Sequence, residues 1–348
     1  MERDNDGENK MILRNRLSFY RGRQVVLVLL LLVVGGLVHA EGAAKVICAG
    51  RAATPPVIDG VLDDACWQNA DWRDDFIPLG STPLERTTMR LVSDDRNLYV
   101  GVECVWKNVS RLQALVTEAR AKPDFTGGFV DINRFAGCGS LELFFDPGAT
   151  MANHYQVLIN AAGQICGQYK GNWDPFKTRP SGAVKITDTG WTAELVFPDQ
   201  GLHQGDLQPG REWGFNMVRN DETPVGIWKD MGAVFNEPKQ FARLVIGDGP
   251  TWWRGTWEKG VVPSFSQMST DAEAYGKTAP LLTALIQEVG RRMPAMEETV
   301  QTAGLTTSGG FLQVYAKYAE FSALFHRLEA LYATTKLTTG PLAETEKR

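Results

Sequence analysis

Carboxylates and aromatic rings are the groups in this chain best placed to do chemistry. Glu142 stands in Ser140-Leu141-Glu142-Leu143-Phe144-Phe145 and Glu194 in Trp191-Thr192-Ala193-Glu194-Leu195-Val196-Phe197, each at the polar parity of an alternating run. A glycosidase would need two carboxyls held about 5 to 10 Å apart across a cleft. Both residues fit equally well as outward members of strands, and the sequence leaves the two readings open. Asp74-Asp75 and Asp94-Asp95 are adjacent pairs in loops and read as turn formers. His154, His203 and His326 show no ligand spacing, so zinc catalysis has no visible basis. Gly137-Cys138-Gly139 lacks the third glycine of a dinucleotide fingerprint, and neither a G-x-S-x-G elbow nor a P-loop occurs.

The rings say more than the acids. There are ten Trp among 348 residues. Trp191 and Trp213 open strands with the parity of their apolar neighbours, and Trp67 follows Asp63-Asp64-Ala65-Cys66; all three read as core. Trp173 and Trp228 instead lie in loops with polar neighbours. A pyranose offers C–H faces for stacking and a rim of hydroxyls, so an aromatic platform beside a carboxylate and an amide satisfies both halves of it. The plainer alternative, that these rings pin long loops to the body of the protein, is equally open.

These residues must be held by elements, and the chain has two textures. From Ile58 to about Ile246 the period is two: Thr87–Val92, Leu98–Cys104, Ser140–Phe145, Tyr155–Asn160, Ala183–Ile186, Trp191–Phe197, Glu212–Asn220 and Ala242–Ile246 read as strands between Asp, Asn, Pro and Gly turns. Many short strands with turns between them predict an antiparallel β-sandwich, jelly-roll or immunoglobulin-like, over 45–248. Residues 249–268, with Trp252, Trp253 and Trp257 among glycines and prolines, read as an ordered linker. From Ser269 the period becomes 3.6, with one stripe from Leu282 to Val300 and another from Phe311 to Tyr332. This predicts a helical hairpin over 269–336, with Pro280 and Pro294 bending or breaking its first helix, and a disordered tail over 337–348. Such stripes pack against the sandwich or against a second copy.

Composition sets the class. Hydrophobic residues make up 43% and charged residues 22%, as in ordinary globular proteins. Val25 to Val38 form an apolar run of 14, preceded by Arg14, Arg16, Arg21 and Arg23 and followed by Val38-His39-Ala40. A spanning helix needs about 20 apolar residues, so 1–40 reads as a secretory signal cleaved after Ala40, with Met11 an alternative start. Loss of 1–40 leaves 30 basic against 37 acidic residues, scattered among one another, which excludes a phosphate-binding surface and hence a nucleic-acid partner. An exported location, secreted or in the periplasm or cell envelope, permits disulfides. Cys48, Cys66, Cys104, Cys138 and Cys166 have no C-x-x-C spacing, and their pairing cannot be read from the sequence.

Pro56-Val57-Ile58-Asp59-Gly60-Val61-Leu62-Asp63-Asp64-Ala65-Cys66-Trp67 resembles the opening of carbohydrate-binding module family 9. Further elements follow in the family's order: Arg90 to Val100, Ser140 to Pro147, Tyr155 to Asn160, Gly190 to Leu195, Trp213 to Asn220 and Pro238 to Ala242. The match covers about 55–248. It implies a sugar-binding β-sandwich of the kind attached to xylanases and other glycoside hydrolases, sometimes with structural calcium. By that resemblance Glu142 falls on a carboxylate that contacts the sugar and Asn160 on the polar end of the adjoining strand. The two Trp that clamp the sugar in the family are absent: Phe135 stands one position out of register with the first, Phe235 takes the place of the second, and Leu158 replaces an Arg.

The expectation is therefore an exported, non-catalytic carbohydrate-binding protein that takes a polysaccharide or oligosaccharide, as an accessory to glycoside hydrolases in polysaccharide degradation. Phe235, with Phe135, Trp173 or Trp228, would supply the stacking platform, and Glu142 and Asn160 the hydrogen bonds. Residues 269–336 would bind a second copy or a protein partner. The competing expectation is a structural or assembly protein of the cell envelope whose sandwich has lost sugar affinity. A hydrolase in its own right ranks third, since no separate catalytic domain fits in the chain.

Overall fold

The computed structural model describes residues 45–82, 84–121, 137–169, 180–202, 207–221, 225–231, 236–275 and 279–339, all within a unit spanning Ala44–Arg348. Residues 1–40, expected as a signal segment, and the sequence-predicted platform residues Phe135, Trp173 and Phe235 lie outside the described residues. Among the described residues no helix is long and apolar enough to cross a membrane.

Strands β1 (Val46–Arg51), β2 (Trp72–Arg73), β3 (Ile77–Pro78), β4 (Thr87–Ser93), β5 (Asn97–Val105), β6 (Ser140–Asp146), β7 (Tyr155–Asn160), β8 (Ile165–Tyr169), β9 (Ser181–Ile186), β10 (Gly190–Pro198), β11 (Glu212–Asn220), β12 (Val225–Ile227) and β13 (Ala242–Ile246) join in one mixed, nearly closed sheet. Its order is β8-β7-β6-β11-β13-β1-β4-β5-β10-β9. The eight strands read from alternation are all present. A wholly antiparallel sandwich is not: β1 runs parallel to both neighbours, pairing with β13 through Val46–Ala49 and with β4 through Gly50–Arg51. One strand thus hands the sheet from one half to the other. Its apolar run, Val46-Ile47-Cys48-Ala49, is buried throughout, as a strand covered on both sides must be.

The halves enclose one core. Leu141, Leu143 and Phe145 of β6, Trp213, Phe215 and Met217 of β11 and Trp191, Ala193 and Leu195 of β10 point into it, together with Leu112 and Val116 of a helix, Val109–Arg120, that caps one end. Arg219 ties the halves at that end. It is fully buried, its guanidinium donating to Thr87 Oγ1 (2.8 Å) and to the carbonyls of Glu85 and Arg86 (both 3.1 Å) and pairing with Asp221 (2.8 Å).

The region after Gly247 corrects the linker reading. Residues 249–275 are helical throughout: α-helical over Gly249–Trp253, a π-turn segment over Arg254–Val261, then α-helical over Val262–Tyr275. Asp248 accepts from Thr251 N (2.8 Å) and Pro250 lies in the first turn, so both residues start the helix instead of breaking it. Two long helices follow, Pro280–Ala303 and Ser308–Thr339. Pro280 sits in the first turn, where its missing N–H costs nothing, and the first helix continues through Pro294 without a break. The second helix runs on to Thr339, so residues 337–339, expected in the tail, are helical; residues 340–348 lie outside the described set.

Both stripes turn into one buried cluster shared with the sheet. Trp252, Trp257, Leu282, Val289, Phe311, Tyr315, Phe321 and Leu328 pack with Val46, Cys48 and Val245 on the outer side of β1 and β13. Glu212 of β11 fastens this layer, accepting from Trp252 Nε1 (2.6 Å) and Tyr315 Oη (2.8 Å).

Candidate functional site

Alternation fixes which residues leave the outer side of β6, β7, β8 and β11. With Leu141, Leu143 and Phe145 inward, Ser140, Glu142 and Phe144 face outward, beside Gln156, Leu158 and Asn160 of β7, Cys166 and Gln168 of β8, and Asn216, Val218 and Asn220 of β11. At one end of this side Phe144, Val218, Ile227, Met231 and Phe241 form a small apolar cluster. At the other end the residues are polar.

Glu142 is the centre of the polar end. Its carboxylate is buried, accepting from Gln156 Nε2 at 2.7 Å and from Asn220 Nδ2 at 2.7 Å. Gln168 Nε2 in turn donates to Gln156 Oε1. A carboxylate only accepts, so both amides beside it must turn their NH₂ groups inward. That leaves Asn220 Oδ1 and Gln168 Oε1 without a partner among the described residues. Among the described residues no cation pairs with Glu142. Burial lifts its pKa above the usual glutamate value, and the amides of Asn220 and Gln156 pull it partly back. Beside it, Ser140 Oγ is buried with no hydrogen-bond partner. A buried hydroxyl left unpaired costs about 1 to 3 kcal/mol. The cluster opens outward, since Asn220, Cys166 and Gln168 are half-buried where Glu142 and Gln156 are buried.

The other expected site residues go elsewhere. Asn160 lies in the row of Ser140 but is fully buried and spent on its own turn: Oδ1 accepts from Ala162 N (3.2 Å) and Gln164 N (3.0 Å), and Nδ2 donates to Gln164 Oε1 (2.8 Å). Trp228 is no loop platform. It is fully buried, packed on Phe215 with centroids 5.7 Å apart, and donates to Asp75 Oδ1 at 2.8 Å, so neither of its faces is open to a sugar.

Glu194, the other half of the conceivable acid–base pair, belongs to the opposite half of the sheet and to a structural clasp. It accepts from Asp59 N (2.9 Å), Gly60 N (2.8 Å) and Trp67 Nε1 (2.8 Å), and Thr192 Oγ1 donates to Gly60 O (2.6 Å). Gly60 has φ +87, and a Cβ there would lie 2.9 Å from Lys185 N. The opening motif Asp59-Gly60 to Trp67 is thus a strap held down by Glu194. Asp94 is a turn former as expected, accepting from the amides of Arg96 and Asn97, both at 2.7 Å.

All five cysteines are free. Among the described residues no three His, Cys, Asp or Glu side chains are grouped as cation ligands.

No protein-family model and no curated protein matches the chain. Among solved structures it is similar to a carbohydrate-binding module family 9 from Caldicellulosiruptor kristjanssonii in complex with glucose, at 20% identity over 58% of this chain and 95% of that one, with a TM-score of 0.41. The same module in complex with cellotriose gives 20% identity, 58% and 94% coverage and a TM-score of 0.40. A Bacteroides uniformis protein described as a candidate carbohydrate-binding protein gives 12% identity, 58% and 99% coverage and a TM-score of 0.43. Likeness of this degree carries no residue role across to this chain.

Proposed function

We propose that the protein is an exported, non-catalytic carbohydrate-binding protein whose ligand sits on the outer side of β6, β7 and β11 around Ser140, Glu142 and Asn220. The observation that carries this reading is the Glu142 carboxylate whose partners among the described residues are amides, with the half-buried Asn220 and Gln168 at its opening and the unpartnered Ser140 hydroxyl beside it. Uncharged polyols suit such a place. A cation would have been met by other acids and an anion by a base, whereas hydroxyls donate to Glu142 and accept from amide and Ser140 groups. Bond cleavage is not part of the reading, because Glu194 is locked under three N–H donors on the opposite half of the sheet. Export rests on residues 1–40, and a place beside glycoside hydrolases in polysaccharide breakdown rests on the resemblance of the opening motifs. The test is binding of the full chain to a panel of neutral oligosaccharides and polysaccharides. Binding that falls on Glu142→Gln and Ser140→Ala, with thermal stability held, supports it; binding unaffected by both substitutions removes the site.

The second reading, an envelope scaffold without sugar affinity, is favoured by Asn160 and Trp228 being spent inside the fold. It requires no binding to any saccharide together with a stable oligomer. Since the stripes of 269–336 are buried in a cluster within this chain, that oligomer would have to use the outer surfaces of these helices.

A further inference from the structure

Of the nine described tryptophans eight are interior; Trp72 alone is open, with 51% of its surface exposed. It is held from behind. Its neighbour Arg73 turns inward, paired with Asp71 (2.7 Å) and donating to Val46 O (2.8 Å), which anchors β2 against β1. In the antiparallel pairing of β2 with β4, Trp72 stands opposite Arg90, so both leave the same side of the sheet. That is the outer side, since Met89 and Leu91 point into the core.

Arg90 is half-buried, and neither it nor Glu103, on the next strand, has a hydrogen-bonding or ion-pair partner among the described residues. By contrast Arg51, Arg73 and Arg219 are each matched to a carboxylate. Beyond Arg90 the ledge ends in a wall. Opposite it on β5 is Gly101, where Leu62 Cδ2 and the Trp67 ring stand 2.8 and 3.3 Å from where a Cβ would be. An open indole, an uncommitted guanidinium and an apolar wall therefore lie side by side, far from Glu142 in the sheet order.

We infer that Trp72 and Arg90 form a second ligand ledge, on the other half of the sheet, that takes an acidic sugar: the pyranose ring stacks on the indole and its carboxylate meets the Arg90 guanidinium. A planar guanidinium matches a carboxylate two bonds at a time, and an indole face suits a sugar's C–H face. A protein interface fits less well. It would need about 800 Å² with an apolar centre, whereas no other exposed large apolar side chain of the described residues lies on β2 or β4, and Asp74 and Asp75 follow just after Arg73.

The test is titration of the full chain with tetragalacturonate and, separately, with a neutral tetrasaccharide, followed by tryptophan fluorescence and calorimetry. Tetragalacturonate binding that weakens as salt is raised, falls at least about tenfold in Trp72→Ala, survives in Trp72→Phe and falls similarly in Arg90→Gln supports the ledge. Glu142→Gln should leave that binding unchanged. The inference is overturned if tetragalacturonate does not bind, or binds Trp72→Ala and Arg90→Gln as tightly as the unaltered chain. It is also overturned if the loss follows Glu142→Gln alone, which would place the ligand at the first site. Conversely, ledge binding that persists while no neutral sugar binds leaves the ledge standing and removes the proposed function.

Discussion

The strap held by Glu194 gives the sharpest stability prediction. Its carboxylate receives three N–H donors at 2.8 to 2.9 Å and is fully buried, so replacing it with Gln keeps one oxygen for the Asp59 and Gly60 amides but turns an NH₂ toward the Trp67 indole N–H. One charge-assisted bond is lost and two donors oppose each other, which costs about 1 to 3 kcal/mol. Glu194→Ala strands all three donors, but it also relieves the burial of a charge, the main cause of the raised Glu194 pKa. Its net cost should be about 2 to 4 kcal/mol. The two effects separate in a double-mutant cycle with Trp67→Phe, which removes the indole donor and with it the clash. Glu194→Gln should cost at least about 1 kcal/mol less in the Trp67→Phe background than alone. Urea unfolding gives the energies, and limited proteolysis of residues 54–70 reports whether the strap lifts. A cost below about 0.5 kcal/mol with no coupling would refute the strap and return Glu194 to the candidates for chemistry.

Arg219→Ala should destabilise by about 3 kcal/mol or more, since it leaves Asp221 without its partner and uncouples β11 from β4, measured by the same urea titration. Because the raised pKa of Glu142 means its ionised form is disfavoured in the folded state, Glu142 withdraws stability as pH rises from its unfolded value, about 4.3, through the raised folded one. Glu142→Gln should therefore gain stability relative to the unaltered chain across that window and hold a constant difference above it, in thermal melts from acid to neutral pH; an unchanging difference throughout contradicts the burial. Burial raises every cysteine pKa, Cys104 and Cys166 to about 12, so the native thiols should react slowly with a disulfide reagent at neutral pH, the half-buried Cys66 and Cys166 first. Unreduced, denatured protein should show all five thiols, and fewer would reveal a disulfide.

Alternation in the sequence locates eight strands and the inward side of each, because the side-chain period of two survives whatever covers the outer side. β1 escapes it because it is buried on both sides by two different layers, the core and the helices, so its residues do not alternate. The helix over Val109–Arg120 carries Leu112, Val116 and Ala119 at helical spacing and an Asn108 cap, a signal hidden inside a region read for strands. For the site, sequence parity puts Glu142 outward but says nothing of the amides around it, which come from β7 and β11 through long-range pairing. Trp228 misleads for a local reason: polar neighbours suggest a loop ring, yet Asp75, far away in sequence, satisfies its N–H inside the fold. Trp72 shows the reverse. Its neighbours Asp71 and Arg73 are polar too, and only the placement of β2 on the outer side leaves the ring open.

The most direct measurement of the central claim is the dissociation constant of the full chain for soluble neutral tetrasaccharides, compared with Ser140→Ala and Glu142→Gln by calorimetry. A saccharide receptor at the Glu142 cluster predicts measurable binding of at least one of them, weakened about tenfold or more by each substitution with no fall in melting temperature. Equal affinity in all three proteins, or no heat of binding with any saccharide, would contradict it.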